Sequence, residues 1–524
     1  MARAVLGITV VVVAATLAGP PTATSAAEYQ GSTDEHRTTV ESIEVEPSAQ
    51  RQDGGVVAEL TRTETDPYAM VAVTWKHDDR QVQVEVRTHD DDGWSSWRHL
   101  DVDGDGPGGG PTDGTVPLWV GSADGVAARV RTSRGTAPTD VRVLTIDPAG
   151  QPAAARGKRL PSAGGPMGTP PKFPSQPAII KRKRWGADPS LGDKCFKPIY
   201  GKTTKAAIVH HTVGTNNYRP ADSVGIVQGI LAYHTQGRGW CDIGYNFLVD
   251  RFGRVFEGRA GGIRKPVRGA HAGDFNTNTM GVSMMGNFDN VRLPRRLKNA
   301  MVRLIGWRLG TNYVNPRGTV RMHGSRIKRI SGHRDVMSTA CPGLHGYQWL
   351  PQLRKRVKNY LSRFDSKIQR KRRRTGFGKI GHVFNGERRI KGGRRTMFRR
   401  AAIYWSRGNG AHFIPRGSML RGYWKRGGAP GRLGYPREDY AQTKRKGVYR
   451  LNTRRGRLFR NRGGKVHALR GRIELAYIRR GGVTGRLGTP RSDSKHGRHV
   501  SVANFAHGRI RYDQRTNKVT VKYW

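Results

Sequence analysis

The chain has 524 residues, with 93 Lys+Arg against 39 Asp+Glu and a formal net charge of +54. That length exceeds what one hydrophobic core supports, so roughly two to four domains are expected. A surface this basic seeks polyanions. Apart from the N-terminal 27 residues, no stretch is long and apolar enough to be an integral membrane span.

Residues 1–27 begin with Arg3, run through an apolar segment from Val5 to Leu17 and end in Thr24-Ser25-Ala26-Ala27. This is the pattern of a secretory signal peptide cleaved near Ala26 or Ala27, so the mature chain is expected to be exported. Residues 28–147 carry 23 Asp+Glu and 11 Lys+Arg. Alternation in 70–75, 81–86, 126–131 and 141–146 predicts strands, and Gly/Asp-rich turns between them predict a small acidic β-sandwich. The string Asp101-Val102-Asp103-Gly104-Asp105 lacks the downstream glutamate of a calcium loop and is expected to be a solvated turn. Residues 148–178, rich in Pro, Gly, Ala and Ser, are expected to be a linker.

In residues 179–363, strands are predicted at 206–211, 245–250, 254–258 and 280–286. Helical spacing runs through 220–236, 294–309 and 349–361. Alternating strands and helices predict an α/β domain with a central mixed sheet and flanking helices. From 362 onward there are 45 Lys+Arg against 7 Asp+Glu, yet the segment 427–436 recurs as 481–490, an offset of 54 positions. A weaker copy begins near Gly376. Repetition predicts a folded array of turn-rich modules over 364–524.

Chemistry concentrates in Ser331–Gly343, which holds His333 and Cys341 eight positions apart, and in the pair His210-His211 that ends the apolar run 206–209. Two imidazoles and one thiolate form a three-ligand zinc set with the fourth tetrahedral position open, the arrangement of a catalytic site. Neighbours on a strand face opposite ways, so only one of His210 and His211 reaches the ion. Cys341, His345 and Met337 also fit a copper ligand set. His234, His323 and His345 are read as ordinary core or surface histidines.

Several ordered motifs surround that set: Arg-Trp-Gly-Ala at 184–187, Val-His-His-Thr at 209–212 and Gly-Trp-Cys-Asp-Ile-Gly-Tyr-Asn-Phe at 239–247. Val-Phe-Glu-Gly-Arg at 255–259, Gly-Ala-His-Ala at 269–272, Gly-His-Arg-Asp at 332–335 and Ala-Cys-Pro-Gly at 340–343 follow. Together they make residues 184–361 resemble the zinc N-acetylmuramoyl-L-alanine amidases and peptidoglycan recognition proteins. The C-terminal copies, with Leu-Gly-Tyr-Pro at 433–436 and Leu-Gly-Thr-Pro at 487–490, resemble LGFP repeats associated with cell walls.

The resemblance implies Zn2+ held by His210, His333 and Cys341, with Tyr245 and Thr339 in catalytic positions. It implies substrate contacts from His271, Asn276 and His211, and a disulfide between Cys195 and Cys241; Arg268 is a candidate, beside Arg259 and Arg264, for the stem-peptide carboxylate. The expected activity is hydrolysis of the amide between N-acetylmuramic acid and L-alanine of peptidoglycan. The alternative is a non-catalytic binder of peptidoglycan or an anionic wall polymer. Anionic wall polymers are the expected partners of the basic repeats, and no nucleic acid partner is expected, because the tail lacks a recurring stacking pattern.

Overall fold

The computed structural model describes residues 37–524 except 53–54, 79–80, 104–111, 151–159, 169–172 and 192–196. The expected signal peptide, Asp105 and Cys195 therefore lie outside the described residues. No helix among the described residues is long and apolar enough to cross a membrane.

The acidic N-terminal segment is all β. The 21-residue strand Val56–Lys76 pairs antiparallel with Leu118–Thr132 and, at Met70–Thr74, with Arg142–Asp147. Four register shifts along the first pairing bend it, so hydrogen bonding runs through one nine-stranded network and not through two separate sheets. Alternation places Val71, Val73 and Trp75 in the domain's own core. The opposite face presents Met70, Ala72 and Ile146 to the next domain.

That next domain is built on a five-stranded mixed sheet in the order Val255–Glu257, Phe247–Val249, Thr279–Met284, Ala206–His211, Ile330–Gly332. Only Val255–Glu257 runs antiparallel to its neighbour. All six residues of Ala206–His211 are buried, as their unbroken apolar pattern requires of a central parallel strand. Helices Arg295–Thr311 and Leu344–Tyr360 cover one face through Leu297, Met301, Leu304, Leu350, Leu353 and Val357.

The helix Ser223–Ala232 covers the other face and is buried on all sides, because the N-terminal sheet packs against it. Close approach depends on two glycines one turn apart. A Cβ on Gly225 would lie 2.8 Å from Trp119 Cη2, and one on Gly229 2.7 Å from Met70 Sδ. Two domains thus share one core.

The expected linker is partly a strap. Ala163 is buried, its N–H donates to Gly253 O at 2.8 Å, and Asn299 Nδ2 donates to Gly165 O at 2.9 Å. Small residues allow this backbone to lie flat on the α/β domain. Beyond residue 366, three modules follow, each a four-stranded antiparallel sheet preceded by a helix: Lys367–Thr375, Ser418–Lys425 and Gly471–Arg479. The 54-residue offset reappears as equivalent bonds, Tyr423 Oη donating to Gly434 O at 2.7 Å and Tyr477 Oη to Gly488 O at 2.6 Å. The first module docks on the α/β domain, where Tyr313 Oη donates to the buried Glu387 Oε2 at 2.7 Å.

Candidate metal centre

The carboxyl ends of parallel strands meet at one edge of the α/β sheet, the usual location of chemistry in such sheets. Val209 is paired with Gly332, so the residues that follow each, His210 and His333, emerge side by side with ring centroids 4.5 Å apart. Asp335 holds the turn after Gly332 by accepting from Gly332 N–H at 2.9 Å and from Tyr347 Oη at 2.7 Å. Arg334 N–H donates to Cys341 O at 3.0 Å and closes the loop that returns the thiol.

One ligand atom each from His210, His333 and Cys341 lies within 4.8 Å of the others, and all three residues are buried. His210 Nδ1 is 3.7 Å from Cys341 Sγ. The sulfur accepts from His211 N–H at 3.4 Å. Cys341 is buried. Two imidazoles and one thiolate, with no further His, Cys, Asp or Glu in the group among the described residues, fit a zinc ion with one open position. His345 is not in this group, whereas the Met337 sulfur lies 3.2 Å from His333 Nε2.

His211 supplies no ligand atom to the group; it lines the cleft, and Phe288 N–H donates to its Nδ1 at 3.3 Å. His271 and Asn276, expected at the substrate, are buried behind His210. His271 Nδ1 is 3.0 Å from His210 Nε2, and Asn276 Oδ1 accepts from the N–H groups of His271 at 2.6 Å and Ala272 at 2.9 Å. Like His210 and His333, they are not among the residues lining the cleft. Arg268 is exposed and also lies outside the cleft lining. Cys195, expected to bridge to Cys241, is outside the described residues.

The centre opens into a cleft of about 370 Å³, within the range of small-ligand sites. Tyr245, Thr339, His234 and Cys341 form one side. The Tyr245 ring centroid is 5.3 Å from that of His210. Cys341 N–H donates to Thr339 Oγ1 at 3.1 Å.

The opposite side comes from the N-terminal domain: Asp101, Val102, Asp103, Val116 and Pro117. Nothing in the primary structure signals this, since Asp103 reaches Arg238 across 135 positions. Arg238 Nη1 donates to Asp103 Oδ2 at 2.6 Å, with side chains 6% and 7% exposed. Within the expected solvated turn Asp103 is a buried anchor, whereas Asp101 and Val102 are exposed and 104–105 lie outside the described residues. Asp101 and Asp289 also border the cleft, and burial, opposed by His99 and aided by Asp289, raises the Asp101 carboxyl above its ordinary range.

Residues 200–344 match the N-acetylmuramoyl-L-alanine amidase family, residues 25–155 match the Rv3811 N-terminal galactose-binding domain-like family, and residues 383–431 match the LGFP repeat. Peptidoglycan recognition protein 1 of Bos taurus is 33% identical over 176 residues, covering 33% of this chain and 83% of that protein. Its Mus musculus counterpart is 34% identical over 172 residues, covering 32% and 84%. Among solved structures, wild-type Drosophila PGRP-LB is similar at 26% identity, covering 32% of this chain and 90% of that one with a TM-score of 0.27. The chain belongs to the N-acetylmuramoyl-L-alanine amidase and peptidoglycan recognition protein family and carries LGFP repeats.

Proposed function

We propose that the chain is an exported, zinc-dependent amidase that cleaves the bond between N-acetylmuramic acid and L-alanine in peptidoglycan. The observation that carries this is the convergence of His210, His333 and Cys341 within 4.8 Å, with Cys341 on the lining of a cleft. A protein that only binds the wall has no need of a buried thiol aligned with two imidazoles. Bound zinc supplies Lewis acidity, which activates water and polarises an amide carbonyl.

The chain's own groups do the rest. His271 orients His210 through its Nε2, and the His211 N–H steadies the thiolate of Cys341. Tyr245 O–H donates to the oxygen that gains charge as the amide carbon becomes tetrahedral, and Thr339 assists. The cleft walls hold the lactyl-peptide segment between the two domains and limit bulk water around the scissile bond. A Cys195–Cys241 disulfide fixes the segment leading to Tyr245. The basic modules engage anionic wall polymers by counter-ion release, so adding salt weakens that binding steeply.

Mass spectrometry of muropeptides tests the bond. Digestion of sacculi is expected to release stem peptides with a free L-alanine amino terminus. Glycan fragments without such peptides, or binding with no release, contradict the proposal.

A further inference from the structure

Apart from the groups just described, the helix Arg295–Thr311 buries a cation without a counter-charge among the described residues. Arg308 is 2% exposed. Its Nη2 donates to Thr204 Oγ1 at 2.9 Å and Lys265 O at 3.1 Å, whereas Nε and Nη1 are buried with no hydrogen-bond partner. A guanidinium offers five N–H donors in a fixed fork and does not deprotonate in proteins, so those orphan groups carry charge as well as polarity.

The surroundings add positive charge. Arg264 sits close by, and both guanidinium carbons face the Trp307 ring, at 5.3 Å for Arg264 and 5.5 Å for Arg308. One indole offsets only part of one buried charge, not two. Burial, then Arg264, pushes the Arg308 guanidinium down to about 9; burial, then Arg388, pushes Arg264 down to about 10. Both remain cationic at neutral pH. Among the described residues no Asp or Glu forms an ion pair with either.

Arg308 lines a cavity of about 10 Å³ together with Asn246, Phe247, Val267, Thr279 and Met280. That is space for one particle near the size of a water molecule. A water satisfies the N–H groups but leaves the charge unpaired, which is the costly part of burying an ion. Phosphate, sulfate and carboxylates are too large for the space.

We propose that this cavity is a halide site, occupied by chloride in ordinary buffers, in which a monatomic anion bonds to Arg308 Nε and Nη1 and neutralises the Arg308–Arg264 pair. The anion would fasten the loop that carries Lys265 to the helix, since the Arg308 fork already grips the Lys265 carbonyl. The site is independent of the hydrolytic reaction and stands whatever the chain does to the wall.

The test uses the full-length protein at constant ionic strength, exchanging sodium gluconate, whose anion is too bulky for the cavity, for sodium chloride. The unfolding midpoint is expected to rise by about 2–4 °C with chloride, and Arg308→Met is expected to abolish the difference. Crystals soaked in sodium bromide give a second readout that needs no variant. An anomalous peak within hydrogen-bond reach of Arg308 Nε and Nη1 supports the site even if Arg308→Met does not fold. A water or no density there, with equal midpoints in both salts, overturns it.

Discussion

His210 Nε2 lies 3.0 Å from His271 Nδ1. The other nitrogen of the His210 ring faces Cys341 Sγ, so the ring is held between a neighbour that orients it and the proposed ligand group. With Nδ1 committed to a metal, Nε2 carries the proton and donates to His271. We expect His271→Ala to weaken zinc affinity by about 10–100-fold, measured by competition with a chromophoric chelator. Affinity equal to wild type would show that His271 does not position the ligand.

Tyr245 borders the cleft beside His210 and lacks any role in the ligand group. Tyr245→Phe keeps the ring and removes the O–H donor. The expected result is a fall in kcat of about 10²-fold with KM and zinc content unchanged. Steady-state kinetics on a soluble muropeptide reads it; an unchanged kcat removes Tyr245 from the chemistry.

These residues were legible before folding because their spacing is chemically restrictive. A His-x7-Cys segment and a His-His pair at the end of an apolar strand have few other uses, and the helices at 295–311 and 344–360 follow from apolar periodicity. The strand Ile330–Gly332 was not legible, being three residues long, although it sets His333 beside His210. The position of His271 and Asn276 behind His210 was not legible, because a polar loop looks the same whether it faces a cleft or packs behind a candidate ligand. The wall formed by Asp101–Asp103 was invisible, since it depends on docking between domains distant in the chain.

That docking is measurable through the Asp103–Arg238 pair. Asp103→Ala strands a buried guanidinium and is expected to cost about 3–5 kcal/mol in denaturant unfolding. Asp124→Ala, which removes an exposed partner of His89, is expected to cost less than about 1 kcal/mol. Equal costs would mean the two domains are not coupled through Arg238.

A pH signature belongs to the second docking surface. Burial raises the Glu387 carboxyl above its ordinary 4.5, with Ser366, Tyr313 and Arg394 opposing the shift. Between 4.5 and that raised value the folded protein holds more protons at Glu387 than the unfolded chain does. Stability from this group therefore falls as pH rises through that window. Unfolding midpoints scanned upward from pH 4.5 are expected to show a flatter profile in Glu387→Gln than in wild type; identical slopes would assign the dependence elsewhere.

The metal centre itself is tested most directly by metal content and X-ray absorption on the purified full-length protein. We expect one zinc per chain, coordinated by one sulfur and two imidazole nitrogens, and loss of that zinc in Cys341→Ala. A protein that binds no metal after zinc reconstitution, or one whose zinc spectrum is unchanged when Cys341 is removed, contradicts the hydrolytic centre proposed from His210, His333 and Cys341.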